Sequence, residues 1–217
     1  IAAGTTTFVG SLYAFYLLPD SLLRFLLLWL TCTIYRIKAV GRENIPSRGG
    51  ALLVSNHLSF VDALLLQASM DRPIRFIMYQ GLYDKWWLKP FVRLFKVIPI
   101  ASQSRPKELL KSLKTASQAI REGELVCIFA EGQITRTGQL LPFKRGIDRI
   151  MKDADAPIVP VNLDGLWGSI FSFERDRFIW KMPHRIPYPV TVSCGRPMPP
   201  SSSPKEVRQA VQELNTE

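Results

Sequence analysis

Cysteine and histidine are scarce in this chain. Cys32, Cys127 and Cys194 are odd in number, far apart, and form no CxxC, which argues against a disulfide framework and a zinc site and points to a reducing compartment. Cys127 and Cys194 lie in apolar runs and are expected as buried thiols. No G-x-S-x-G is present, so the elbow of a nucleophilic serine hydrolase is missing. Zinc-finger spacing, an RNP-like aromatic signature and a long basic arm are also missing, which argues against nucleic acid as a partner. No Lys or Arg precedes Arg24, so the basic start of a signal peptide is lacking. Neither apolar stretch near the start, 5–18 or 21–35, reaches the roughly 20 residues of a spanning helix.

What is present is positive charge and apolar surface. Lys and Arg number 28 against 18 Asp and Glu, a formal net charge of +10, which favours partners that carry phosphate. Between Leu22 and Leu30 apolar side chains cover every side of a helix, whereas a soluble surface helix keeps a polar face. Residues 1–35 are therefore expected to form an apolar helical segment that associates with a membrane. A pair of helices packed on the domain is the alternative.

After the turn-rich GRENIPSRGG the pattern changes to short β-branched runs alternating with helical periodicity. Candidate strands are ALLVS from 51, IRFIMY from 74, VIPIA from 97, LVCIFA from 125, IVPVNL from 158 and VTVSC from 190. Leu109, Leu113, Ala116 and Ile120 recur at helical spacing ahead of Gly123, which predicts a helix capped by that glycine. The tail predicts a linker and a short helix over 201–217, with Ser203 capping and Pro204 in the first turn. These elements predict an α/β fold, a mostly parallel central sheet flanked by helices. In such sheets ligands gather at the carboxyl ends of strands, where SNH and AEG fall.

The stretch NHLSFVD holds His57, one of two histidines, five positions before Asp62. On one continuous helix these residues would diverge by about 140°, so the histidine is expected to precede the helix. Ser59 is expected as the N-cap, with Asp62 as the carboxylate of a capping box. A turn at the strand end can then fold His57 back toward Asp62. A carboxylate that accepts one imidazole N–H sets the tautomer and leaves the other nitrogen to take a proton from an alcohol. Taken alone, the pair also fits a helix-capping aspartate beside a satisfied turn histidine.

Four blocks in order carry a resemblance. NHLSFVD resembles the N-H-x-S-x-x-D signature of the glycerophospholipid acyltransferases, which make phosphatidic acid and re-acylate lysophospholipids. FAEGQITRTG resembles their F-P-E-G block, LPFKRGIDRI the basic P-F-K-x-G segment, and IVPVNLDG the closing V-I-P-V strand. The resemblance covers about residues 36–200, the expected acyltransferase domain. Two departures stand out. Ser102 and Gln103 occupy the place of an arginine after VIPIA, with Arg105 the nearest substitute; Ala130 replaces the usual proline, and Ile134 the arginine, for which Arg136 is the substitute. This variant, with apolar segments leading into the domain, is most similar to the acyltransferase module of bacterial 2-acylglycerophosphoethanolamine acyltransferases. The resemblance implies possible fused neighbours, a transporter-like domain upstream and an acyl carrier protein synthetase downstream.

The resemblance further implies transfer of a fatty acyl group from a thioester, acyl-CoA or acyl-ACP, to the free hydroxyl of a lysophospholipid. His57 is the implied general base and Asp62 orients it. No cofactor is implied beyond the thioester co-substrate, and no metal. Ser59, Arg105, Glu131, Gly132, Arg136 and Lys144 are the implied substrate-binding residues, with Arg145 another cation that could meet phosphate. Backbone amides near the helix start after His57 are the expected oxyanion donors. The aromatic and basic stretch 166–188 suits a membrane interface, or equally a packed core, and His184 is expected as a surface residue. The implied location is a membrane, with the site facing the cytoplasm. A lipid-binding module of the same fold without activity is the alternative of a different class.

Overall fold

The computed structural model describes residues 29, 33–102, 104–172 and 186–215. In chain order the elements are β1 (Tyr35–Val40), β2 (Ala51–Ser55), α1 (Asp62–Ala68), β3 (Ile74–Tyr79), α2 (Gln80–Tyr83), α3 (Lys89–Leu94), β4 (Ile98–Ile100), α4 (Pro106–Arg121), β5 (Leu125–Phe129), α5 (Gly146–Met151), β6 (Ile158–Asp164), β7 (Tyr188–Cys194) and α6 (Pro204–Glu213). The seven strands form one sheet in the order β1-β7-β6-β2-β5-β3-β4. Every pairing is parallel except β6 with β7, as the alternation of strands and helices predicts.

Strand composition follows position. β2, β5 and β6 are nearly continuous apolar runs and are buried along almost their whole length, because helices cover both sheet faces there. On one face α1 places Leu65 and Leu66 against Leu53, Phe76, Cys127 and Val161. On the other, α4, α5 and α6 bring Leu113, Ile120, Ile147, Ile150 and Val207 onto Leu52, Val54, Val126 and Ile158. Cys127 and Cys194 are free and buried, as expected; burial pushes the Cys194 thiol up to about 12 and the Cys127 thiol higher still. β6 tolerates Pro160 in the middle of the sheet because its ladder with β7 begins only at Val161.

All six expected strands form, within two residues at each end. α4 spans the expected helix, and Gly123 follows it with φ +89. α6 carries the expected cap at Ser203, completed as a capping box by Glu206. Its Val207 and Val211 are buried, so this helix packs on the sheet rather than trailing from it. The apolar stretch 21–35 is corrected at its end: Tyr35 is the first residue of β1, an edge strand that the sequence reading did not identify. Its alternating burial, with polar Arg36 and Lys38 between Tyr35, Ile37 and Ala39, is a half-covered strand masked by the apolar run before it. The remainder of the expected membrane segment, apart from Trp29, Thr33 and Ile34, and residues 173–185 with His184, lie outside the described residues. Among the described residues no helix is long and apolar enough to cross a membrane.

Candidate active site

β2 and β5 run in register with Ser55 opposite Phe129. The residues that follow the two strands therefore emerge side by side, and His57 meets Glu131. The His57 backbone N–H donates to Glu131 Oε1 at 2.9 Å, and the Leu141 N–H donates to Oε2 at 3.0 Å. The His57 carbonyl accepts from the Thr135 N–H at 3.0 Å. Glu131 is buried, and burial raises its carboxyl above the ordinary value although both amide donors oppose that shift. A buried carboxylate is tolerated where its lone pairs are met, and here two backbone donors meet them.

Asn56, which the sequence reading left without a role, ties β2 to β6. Its side chain donates to the Leu163 carbonyl at 2.9 Å and accepts from the Leu163 N–H at 2.8 Å, so it imitates a peptide group where the strand ladder ends. The motif thus leaves the sheet from a backbone held on both sides.

His57 lies before α1, as expected, and its Nδ1 stands 2.8 Å from Asp62 Oδ2. Asp62 is completely buried, while the imidazole keeps 20% of its side chain exposed. The ring stacks on Phe129, with centroids 4.2 Å apart and planes inclined by 14°. With the carboxylate facing Nδ1, that nitrogen carries the proton and Nε2 offers its lone pair. The imidazole is thereby restrained from two sides, and the nitrogen turned away from Asp62 is the basic one.

The turn 57–62 differs from expectation in two respects. The capping box at Ser59 forms only in half. Asp62 Oδ2 does accept the Ser59 N–H at 3.0 Å, and also the Leu58 N–H at 2.7 Å. The Ser59 hydroxyl, however, donates to the Phe171 carbonyl at 2.9 Å, and the helix starts at Asp62 with Val61 as N-cap. Ser59 is fully buried, so its hydroxyl ties the turn to the loop 166–172. The second correction concerns the oxyanion donors. The amides of Leu58 and Ser59 serve Asp62, that of Phe60 serves Phe171, and those of Val61 and Asp62 serve Ser59. Of the amides near the helix start, these five are engaged in this conformation.

Around this centre the other candidates divide. Gly132 adopts φ +68, and a Cβ built there would lie 2.5 Å from Lys144 Nζ. The positive φ favours glycine, and the exposed Lys144 side chain crosses the backbone there, which places an ammonium group one residue beyond Glu131. Lys144 is further held by its backbone N–H, which donates to the Ala130 carbonyl at 2.9 Å. Arg136 is exposed and directly follows Thr135, the residue bonded to the His57 carbonyl. Arg105 is not brought to the dyad. It precedes α4, beyond a strand three places from β2, or about 14 Å at ordinary strand spacing, and pairs with Glu108 at 2.9 Å in an exposed position. No group of three or more metal-ligating side chains occurs among the described residues.

Comparison with known proteins bears on the same residues. A family model described as Acyltransferase matches residues 36–164, which includes the dyad, Glu131, Gly132 and Lys144. The chain is 30% identical over 145 residues to a "Probable 1-acyl-sn-glycerol-3-phosphate acyltransferase" of Mycoplasma pneumoniae, covering 64% of this chain and 53% of that protein. It is 29% identical over 130 residues to the "1-acyl-sn-glycerol-3-phosphate acyltransferase" of Bacillus subtilis, covering 59% and 63%. The chain thus spans between about half and two thirds of the length of these curated relatives. The crystal structure of the 1-acyl-sn-glycerophosphate (LPA) acyltransferase PlsC from Thermotoga maritima superposes with a TM-score of 0.63 at 23% identity, covering 83% of this chain and 69% of that one, a likeness of fold.

Proposed function

Because the chain belongs to the acyltransferase family, we propose that it moves a fatty acyl group from an acyl thioester, acyl-CoA or acyl-ACP, to the free hydroxyl of a lysophospholipid. The observation that carries the proposal is the 2.8 Å contact of His57 Nδ1 with the buried Asp62, with the imidazole still partly exposed. His57 Nε2 takes the hydroxyl proton while the oxygen attacks the thioester carbonyl. The tetrahedral intermediate then expels the thiolate, which takes the proton from the imidazolium and leaves as a thiol. Asp62 stabilises the imidazolium throughout, and no covalent enzyme intermediate forms. General-base help of this kind is worth about 100-fold to 10,000-fold in rate.

The remaining residues divide the other tasks. Glu131 holds the His57 backbone, and Gly132 admits the Lys144 ammonium, which with Arg136 takes the acceptor phosphate as a charge-assisted contact. Arg105 reaches the same phosphate only by leaving Glu108, and it is the weakest member of the set. Ser59 acts indirectly, by holding the turn. The names of the relatives support a lysophosphatidic acid-type acceptor, and the variant blocks support lysophosphatidylethanolamine. We place the protein at a membrane with the site facing the cytoplasm, residues 1–35 as the attachment, 36–200 as the catalytic domain and 201–217 as its closing helix. Transporter and acyl-ACP synthetase domains are its proposed fused or associated neighbours.

The test is acyl transfer from a radiolabelled thioester to a panel of lysolipids in vesicles, beside His57→Ala. Product from the native chain and almost none from the variant is expected; equal turnover would remove the base. The occupied amides after His57 favour a second reading, a lipid-binding module without turnover, and it wins if the native chain binds lysolipid vesicles yet yields no product with any donor.

A further inference from the structure

The segment 130–145, between β5 and α5, contains neither helix nor strand. A loop of that length without secondary structure of its own is uncommon in a compact domain and is usually functional. It carries Glu131, Gly132, Arg136 and Lys144. Its amides and carbonyls have no ladder to join, so its shape depends on what else meets them.

Two sources supply those partners. One is the site itself, where the Thr135 N–H donates to the His57 carbonyl and the Leu141 N–H donates to Glu131 Oε2. The other is α6, through Arg208. Its Nη2 donates to the Leu140 carbonyl at 2.8 Å and its Nε to the Leu141 carbonyl at 3.1 Å, while Nη1 donates to Gln212 Oε1 at 3.3 Å, one turn along α6. Among the described residues this guanidinium forms no ion pair, so its fork is committed to the two loop carbonyls. α6 is anchored independently, because Val207 and Val211 are fully buried. Arg208 also lies beyond residues 36–164, which the family model matches.

Leu141 joins the two sources. Its carbonyl accepts from Arg208, and its N–H donates to Glu131, whose other oxygen accepts the His57 N–H at 2.9 Å. Three residues on, the Lys144 N–H closes the base of the loop on the Ala130 carbonyl. We propose that Arg208 is a positioning residue of this site, holding the arm 140–144 so that the Lys144 ammonium stays beside Gly132, where the acceptor phosphate is met. Without the guanidinium the arm still has the bonds of its Leu141 and Lys144 amides, but it samples arrangements that carry Lys144 away. Apparent affinity then falls with the fraction of molecules in the competent arrangement. The dyad is held separately, by Asp62 and by Glu131 on the His57 backbone, so the effect falls on acceptor binding rather than on proton transfer. The inference rests on the reading of Lys144 as a phosphate contact.

The test measures acyl transfer from a radiolabelled thioester to lysophosphatidic acid and lysophosphatidylethanolamine in vesicles. It compares Arg208→Ala, Arg208→Lys, Gln209→Ala and Lys144→Ala in the full chain, with thermal melting to monitor folding. We expect Arg208→Ala to raise KM for the acceptor about fivefold, with kcat and the thioester KM within about twofold. Arg208→Lys, which keeps the charge but not the fork, falls between. Gln209 is the exposed neighbour of Arg208 and bonds Glu213, so Gln209→Ala keeps the native KM. Hydrogen exchange supplies a readout without turnover: in Arg208→Ala the Leu141 amide exchanges faster while the amides of β5 keep their native rates. Faster exchange in both, with kcat and KM changed together, makes Arg208 a general structural contact and overturns the inference. A native acceptor KM in Arg208→Ala also overturns it; if Lys144→Ala raises KM in the same assay, the phosphate reading stands and only this inference falls. A native KM in Lys144→Ala removes the phosphate reading and this inference with it.

Discussion

The centre of the sheet's carboxyl edge and its outer corner beyond β4 are built on different terms. At the centre, the His57 backbone, the Asp62 carboxylate and the Glu131 carboxylate are interlocked by hydrogen bonds within a largely buried environment. At the corner, Arg105 pairs with Glu108 in solvent, each side chain about half exposed. The difference separates geometry from charge. A base must be aimed within fractions of an ångström and is therefore locked from several elements, while a cation that meets phosphate at the surface works over a range of positions.

The comparison breaks most severely at His57. His57→Ala is expected to lower kcat by about 100-fold to 10,000-fold while the melting temperature stays close to native, because the imidazole is partly exposed and its backbone bonds survive. Initial rates with radiolabelled thioester, paired with calorimetry, check both halves. Asp62→Ala is expected to damage activity and fold together. It strands the amides of Leu58 and Ser59, at about 1–3 kcal/mol for each buried group left unmet, and chemical denaturation should show the loss at unchanged secondary structure.

Next in size, Lys144→Ala is expected to raise KM for the acceptor about tenfold, the loss of one charge-assisted contact, at nearly native kcat. Glu131→Gln is a subtler probe of the locked centre. One of its two amide partners loses an acceptor, so stability falls by about 1–3 kcal/mol. The native carboxyl is raised in the folded state, so the folded form holds its proton longer than the unfolded form. The native protein's share of stability from this group is present below the unfolded value and declines as pH rises through the raised folded value. Glutamine does not titrate, so the gap between variant and native protein should narrow as pH climbs through that window; a gap that widens in urea melts would contradict the direction. The smallest effect belongs to the corner. Arg105→Ala is expected to cost under about 1 kcal/mol and to change KM for the acceptor less than Lys144→Ala does.

Much of this was legible because it is local. Continuous apolar runs mark strands covered on both faces, and Ser203 with Glu206 three residues later makes its capping box from neighbours alone. The five-residue spacing of His57 and Asp62 excludes a shared helix, so a meeting of the two required a turn ahead of the helix. The failures at Ser59 and Asn56 are long-range. Ser59 carries every local mark of an N-cap, yet its hydroxyl bonds Phe171, 112 residues away. Asn56 bridges to Leu163 across 107 residues, a partner that no spacing rule reaches. β1 was concealed because a half-covered edge strand follows directly on an apolar run.

By itself the sequence determined the alternation of strands and helices, the mostly parallel sheet, and the place of His57 ahead of the helix that holds Asp62, since these follow from side-chain period, turn chemistry and helix geometry. Only the tertiary structure decided that the amides after His57 are spent on Asp62, Ser59 and Phe171, and that Glu131 grips the His57 backbone across 74 residues. The reason is that a buried donor or acceptor has to find a partner wherever the packed chain supplies one, and that partner is set by strand order and register.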